Sequence, residues 1–370
     1  MTARSSPRTR EPAANAAALV EAPDDLDELN RFFDERRWGD GLPIVPPTPE
    51  RVKKMLSGID RAAEEFVAAI APGFGAATVE NIAINAVLAG CRHEYLPVLI
   101  AAVEAISDPG FNLQGIQATT NPAAVWMILN GPIADRLGIA SGHNCLGQGY
   151  WANATLGRAL RLILQNVGGA LPGDMDRATQ GQPAKYSFCC AENERQSPWE
   201  PLHVERGFKK DENVVTVFGL EAGSRQIADQ TSRTARALAG SLGMGLEACW
   251  HPKQHNAGEI LLVISPEHAD TIARERWSKA DVRARIQEVT SRPTRELIRD
   301  EESGEGIPLS ALGTPTEEQL AKTIAKFRRP EDINIIVAGG NAGKFSAVFA
   351  GWVSGAMGSS SVSRRIEEGR

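Results

Sequence analysis

No stretch of this chain carries the roughly 18 consecutive apolar residues of a membrane-spanning helix, so none of it is expected to cross a bilayer. Positive charge is not in excess either. A formal net charge of −6 leaves no basic stripe to neutralise a phosphate backbone, which sets nucleic acid aside as a partner. Cysteine is scarce. The five thiols, Cys91, Cys145, Cys189, Cys190 and Cys249, are odd in number and suggest no disulfide framework, so the reducing cytoplasm is the expected compartment. No secretory signal is expected, because the apolar patch Ala16–Ala18 is too short for an h-region. No Gly-x-Gly-x-x-Gly follows a strand-like run, which argues against a nicotinamide cofactor.

What remains is a 370-residue chain, 42% hydrophobic, long enough for one elaborated domain or two lobes. Short apolar runs at Phe66–Ile70, Asn112–Thr119, Val125–Leu129, Lys185–Ala191, Val214–Leu220, Ile260–Ile264 and Ile333–Ala338 read as strands. Helical periodicity marks Asp24–Arg37, Thr78–Gly90, Glu94–Ser107, Ser232–Leu242, Pro266–Arg276 and Thr316–Phe327, and Pro49 after Thr48 opens a further helix. The alternation predicts an α/β fold with mixed or mainly parallel sheets covered by helices. Residues 1–22 read as a disordered tail, 23–290 as the main α/β domain, 291–314 as a linker or long loop, and 315–370 as a C-terminal α/β segment packed on the main domain.

The segment Ser141–Gly169 is a glycine-punctuated loop that runs into a helix with Leu156, Leu160, Ile163, Leu164 and Val167 on one face. Asn153 is the expected N-cap. Free N–H groups and the helix dipole at such a start favour an anion, so Asn153, Thr155 and Arg158 are expected to bind substrate. Thr119, Thr120 and Asn121 in the NLQGIQATTNP segment would add orienting bonds. In INIIVAGGNAGKFS a strand runs into a glycine nest with Gly339, Gly340 and Lys344, a third set of anion-binding candidates. A phosphate-binding P-loop would need glycine at Ala338 and Ser or Thr at Phe345, so no ATP signature is present.

The segment YSFCCAENERQSPWEPLHVERGF gathers Glu192, Glu194, Glu200, His203 and Glu205 after a strand-like run. Carboxylates and an imidazole in that place suit proton transfer, or a divalent metal as cofactor, and Glu192, Glu194 and His203 are the catalytic candidates. Cys91 and His93, Cys145 and His143, and Cys249 with His251 and His255 each place a thiol near an imidazole, without the second pair of a structural zinc site. Cys189 and Cys190 are expected to point to opposite faces of a strand.

The stretches WGDGLPIVPPTPERV, NAVLAGCRHEYLPVLIAAVEAI, ANATLGRALRLILQNVGGALPG, AENERQSPWEPLHVERGF and IIVAGGNAGKFSA give a resemblance to a bacterial protein family loosely related to proteins with a selenocysteine-Gly-Ser-Cys motif. The nearest match here, Met357-Gly358-Ser359-Ser360, has neither reactive residue. The resemblance therefore implies a related fold without that thiol chemistry.

Together these features predict an enzyme acting on a small anionic molecule by acid/base chemistry, of lyase, hydratase or hydrolase type. One alternative is a non-catalytic binding or assembly subunit of a larger enzyme, suggested by Trp151, Trp199, Trp250 and Trp352 as exposed aromatics. Another is a thiol redox protein working through Cys91 near His93. The partners expected are a small-molecule substrate and either a second copy or a partner subunit.

Overall fold

A computed structural model describes residues 19–221, 225–353 and 358–368. The expected tail, residues 1–22, lies outside them up to residue 18, as does Met357 of the Met-Gly-Ser-Ser segment. Helices and mixed sheets make it an α/β fold. One four-stranded sheet has the order Val362–Arg365, Val214–Leu220, Ala124–Asn130, Cys189–Ala191. A second has the order Ile333–Val337, Ile260–Ile264, Phe345–Ala350, Arg225–Ala228. Each contains one parallel pair, Ala124–Asn130 with Cys189–Ala191 and Ile333–Val337 with Ile260–Ile264, and is otherwise antiparallel.

Side-chain alternation along these strands separates three cores. In the first sheet Met127, Leu129, Val215, Val217 and Cys189 pack against the helices Val79–Ala89, Leu96–Ile106 and Trp151–Asn166. In the second, Ile260, Leu262, Ile264, Ile335 and Val348 pack against Ala235–Leu246, Pro266–Ala273 and Lys279–Thr290. The remaining faces meet each other through Trp126, Ile128, Phe218, Val263, Ile336 and Phe349. The layers therefore run helix, sheet, sheet, helix. Helices cover one face of each sheet, and the other face is covered by the opposite sheet. This is why ILLVI is apolar throughout and VVTVFGL apolar but for Thr216, whose hydroxyl bonds Ser363 Oγ: both faces of each strand are covered, and every residue of both is buried. Cys189 and Cys190 do face opposite layers.

Several elements depart from the expected pattern. Asn112–Thr119 is not a strand; Leu113–Ala118 is a helix that buries Leu113, Ile116 and Gln117, with the Asn112 side chain capping Gly115 N–H. Lys185–Ala191 is strand only over Cys189–Ala191. The helix expected at Thr316–Phe327 spans Glu317–Ala321. The 291–314 segment is not structureless, holding a short strand at Arg292–Pro293 and helical turns at Thr294–Leu297 and Leu309–Leu312. Lys279–Thr290 is an unforeseen helix with a reciprocal Ser278–Asp281 capping box. Thr48 caps the Pro49–Leu56 helix, as its sequence predicts.

Trp126 closes the layer between the sheets, stacked on Phe188 at 4.3 Å and edge-on to Phe349 at 4.7 Å. Trp126→Ala should cost about 3–5 kcal/mol, because the rigid strands around it cannot collapse into the space. Denaturant unfolding checks this; a loss under about 1 kcal/mol would mean that the two sheets do not depend on this contact.

Candidate functional site

Where the parallel strands Ile260–Ile264 and Ile333–Val337 end, the packing between the sheets opens into a cavity of about 640 Å³. Its walls include Cys145 and Gly147 from one loop, Phe188 from beside the first sheet, and Gly339 and Gly340 from the other loop. Two glycine-rich segments singled out in the sequence thus meet here, joined by the Gly339 N–H donating to Ser141 O at 2.8 Å. Gly340 is needed for space rather than for its φ. The His143 ring lies against it, and a Cβ would fall 2.3 Å from Cδ2 and 2.6 Å from Nε2.

The helix beside the loop starts at Trp151, with Tyr150 as an N-cap whose side chain does not cap the helix but donates from its hydroxyl to His143 O. Asn153 is therefore inside the helix and not its cap. Its Nδ2 donates to Ala140 O and Cys145 O, both at 3.0 Å, while Oδ1 accepts Ala140 N–H at 2.8 Å. It fixes the Cys145 loop instead of binding substrate. Thr155 Oγ1 donates back to Trp151 O in its own helix. Arg158 is bonded in a fork to Asp40, Nε to Oδ2 at 2.7 Å and Nη2 to Oδ1 at 2.8 Å, and also reaches Leu42 O and Pro43 O. With Asp40 buried under it, this guanidinium is not offered to an anion. Arg158→Ala should lower stability by about 3–5 kcal/mol by leaving the Asp40 carboxylate unpaired, and should leave ligand binding in the cavity intact; thermal denaturation compared with ligand titration separates the two.

The other anion candidates are also engaged. Thr119 Oγ1 accepts Asn121 N–H, and Thr120 O accepts Thr179 N–H and Oγ1–H. Asn121 flanks Glu221, whose carboxyl burial pushes up to about 7 against the influence of the nearby Asn121, Trp250 and Val353 N–H. Nothing in the sequence around Glu221 marked it. The glycine nest does hold a carboxylate, but one of the protein's own: Gly343 N–H donates to Glu267 Oε2 at 2.9 Å, and Lys344 Nζ lies 3.9 Å from Glu267 Oε1.

The acid bank is brought together, then sealed. Asn130 Nδ2 donates to Glu192 Oε2 at 2.8 Å and Glu194 Oε1 at 3.0 Å, and Glu192 also accepts Leu202 N–H. His203 is 0% exposed and Glu192 3%. His203 Nδ1 is 3.9 Å from Glu194 Oε1. Both ring nitrogens of His203, Glu192 Oε1 and Asn130 Oδ1 have no hydrogen-bond partner among the described residues. Glu200 is exposed, and Glu205 is paired with Lys279 and Arg283. Among the described residues no group of three or more His, Cys, Asp or Glu side chains is placed to hold a metal ion. Burial, the largest effect, pushes the Glu192 carboxyl above its ordinary 4.5, against Lys279, Leu202 N–H and Asn130, while Glu194 adds to the rise.

The folded chain thus keeps the Glu192 proton to higher pH than the unfolded chain, and stability is lost as pH rises from the unfolded value through the folded one. Glu192→Gln cannot ionise, so its melting temperature should exceed that of the wild type by more at about pH 8 than at about pH 5. A variant less stable at both pH values would show that the charged carboxylate is the form the fold uses.

The cysteines divide sharply. Burial pushes Cys91 up to about 12, with its thiol bonded to Thr155 O, and raises Cys249 to about 11 and Cys189 further. Cys145 goes the other way. The neighbouring Cys190 thiol lowers it most; burial opposes, and the nearby N–H groups of Cys145, Gly339 and Leu146 add to the lowering. Cys190 is raised well above the usual thiol range by Cys145 beside it and by burial. His251 is bonded to Ser303 Oγ at 3.0 Å and to Lys253 N–H. Of the tryptophans expected at the surface, Trp250 and Trp352 are buried and Trp199 half-buried, whereas Trp151 is 60% exposed. A buried relay unmarked in the sequence joins Ser346 Oγ to His268 Nδ1 at 2.8 Å and His268 Nε2 to Asp229 O at 3.1 Å.

No single helix among the described residues is long and apolar enough to cross a membrane. Comparison with family models, with curated proteins and with solved structures gives no match.

Proposed function

We propose that the chain is an enzyme of small-molecule chemistry whose substrate enters the cavity between the sheets and meets the Cys145 sulfur as nucleophile. The observation that carries this reading is the position of Cys145, on the cavity wall beside the Cys190 thiol and the loop N–H groups. The thiolate is the reactive form of cysteine, and surroundings that lower a thiol's pKa favour it. In this reading the two expected lobes are the two sheets with their own helices, and the cavity lies where they meet.

The lining narrows the substrate class. Among the described residues no charged side chain lines this cavity; its polar side chains are the amides and hydroxyls of Asn144, Gln182, Ser187, Gln226, Ser265 and Ser346, beside Phe188, Phe345 and Phe349. That favours a part-apolar molecule with uncharged polar groups, because an anion would have no cation here to offset its lost hydration. Hydrolase or lyase chemistry at an electrophilic carbon fits such a site. The acid bank then supports the fold from behind the cavity.

Brief exposure of the native chain to iodoacetamide, followed by peptide mapping, tests the reading without knowledge of the substrate. Cys145 should react at least about tenfold faster than Cys91, Cys189 and Cys190, and its rate should level off at a pH below that of a free thiol. Labelling of Cys249 ahead of Cys145, or a Cys145 rate that rises only at alkaline pH, would contradict it.

A further inference from the structure

On the other side of the Trp151–Asn166 helix start lies a second cavity, of about 440 Å³, that shares no lining residue with the first. Three segments build it. The Pro49–Leu56 helix supplies Arg51 and Lys54 from one face, three residues apart and so one turn from each other. The connector after the Val79–Ala89 helix, turned by Gly90 at φ +84°, supplies Arg92 and His93. Trp151 forms the rim, its indole N–H donating to Gly90 O at 2.9 Å, which holds the ring in place while most of it stays exposed.

The charge balance is one-sided. Glu94 is the carboxylate of the lining, and it sits 3.1 Å from His93 Nδ1. Arg51 gives one N–H to Pro46 O. Among the described residues the side chains of Lys54 and Arg92 have no hydrogen-bond or ion-pair partner. Cys91 adds no negative charge at the wall, because its thiol is neutral with a value pushed up to about 12. A concave surface lined by one sign of charge focuses its field on whatever enters. Guanidinium forks match the geometry of phosphate oxygens, and an exposed indole face suits a flat ring.

We propose that this cavity binds a small phosphate ester that carries a planar ring, the chemistry of a nucleoside monophosphate. The phosphate sits among Arg51, Lys54 and Arg92, and the ring lies on Trp151. The proposal does not rest on the role of Cys145. It also explains why an anion expected at this helix start need not involve Arg158: the cations come from two other segments.

Calorimetric titration of the full chain with adenosine monophosphate, adenosine and inorganic phosphate tests it. The monophosphate should bind saturably and more tightly than either fragment, and added salt should weaken it. Lys54→Ala and Arg92→Ala, both at exposed positions, should each weaken it about tenfold, the worth of one charge-assisted contact. Trp151→Ala should weaken the monophosphate but not inorganic phosphate, and Lys344→Ala should change neither. No saturable binding of the monophosphate, adenosine binding as tightly as the monophosphate, or wild-type binding by both cation variants would each overturn the proposal.

Discussion

The structure depends on one constraint: each sheet must be apolar on both faces, because one face is covered by helices and the other by the opposite sheet. Trp126, Phe188 and Phe349 fill the shared layer. Backbone bonds also stitch the sheets together, Glu221 N–H to Ala350 O and Asn193 N–H to Val337 O. With the strands held on both sides, the loops at their ends are the parts free to carry chemistry. The cavity opens where the dry layer runs out, at the carboxyl ends of a parallel pair, a common place for ligands in α/β sheets.

That arrangement decides which polar groups can act. Glu192, Glu194 and His203 come together as their crowding in sequence suggests, joined by Asn130, with Glu192, His203 and Asn130 inside the packing and Glu194 partly exposed at their edge. Burial there raises the Glu192 carboxyl, since a carboxylate would lack the hydration it loses. Glu192 Oε1 and Asn130 Oδ1 are both buried without a hydrogen-bond partner among the described residues. Cys145 and Cys190 belong to the layer between the sheets, and Cys145 reaches the cavity wall.

Much of the fold was legible because its strands are dry on both faces. Ile260–Ile264, and Val214–Leu220 with its single Thr216, stand out as apolar runs with their observed bounds. Among the strands that escaped notice, Arg225–Ala228 is largely exposed at the sheet edge, Val362–Arg365 is a polar strand at the edge of the other sheet, and Phe345–Ala350 follows directly on a glycine loop that drew attention to itself. Leu113–Ala118 is so short that its apolar residues fit either period. The site was half legible. Glycine marked both loops of the cavity, since close approach needs it, as the His143 ring against Gly340 shows. Arg158 misled, because sequence cannot show that Asp40, remote in the chain, lies under the guanidinium. The character of Cys145 was hidden for the same reason, as Cys190 and the N–H of Gly339 come from other segments.

The central claim is that chemistry belongs to the open end of the inter-sheet layer and not to the sealed acid cluster. Incubating wild type, Cys145→Ser and Glu192→Gln with a mixed metabolite extract, and following which compounds are consumed, tests it most directly. The account predicts that wild type consumes a compound, that Cys145→Ser slows this by roughly 10²-fold or more, as loss of a nucleophile should, and that Glu192→Gln stays within a few-fold of wild type. Turnover that survives in Cys145→Ser but is lost in a folded Glu192→Gln, or no consumption by wild type, would contradict it.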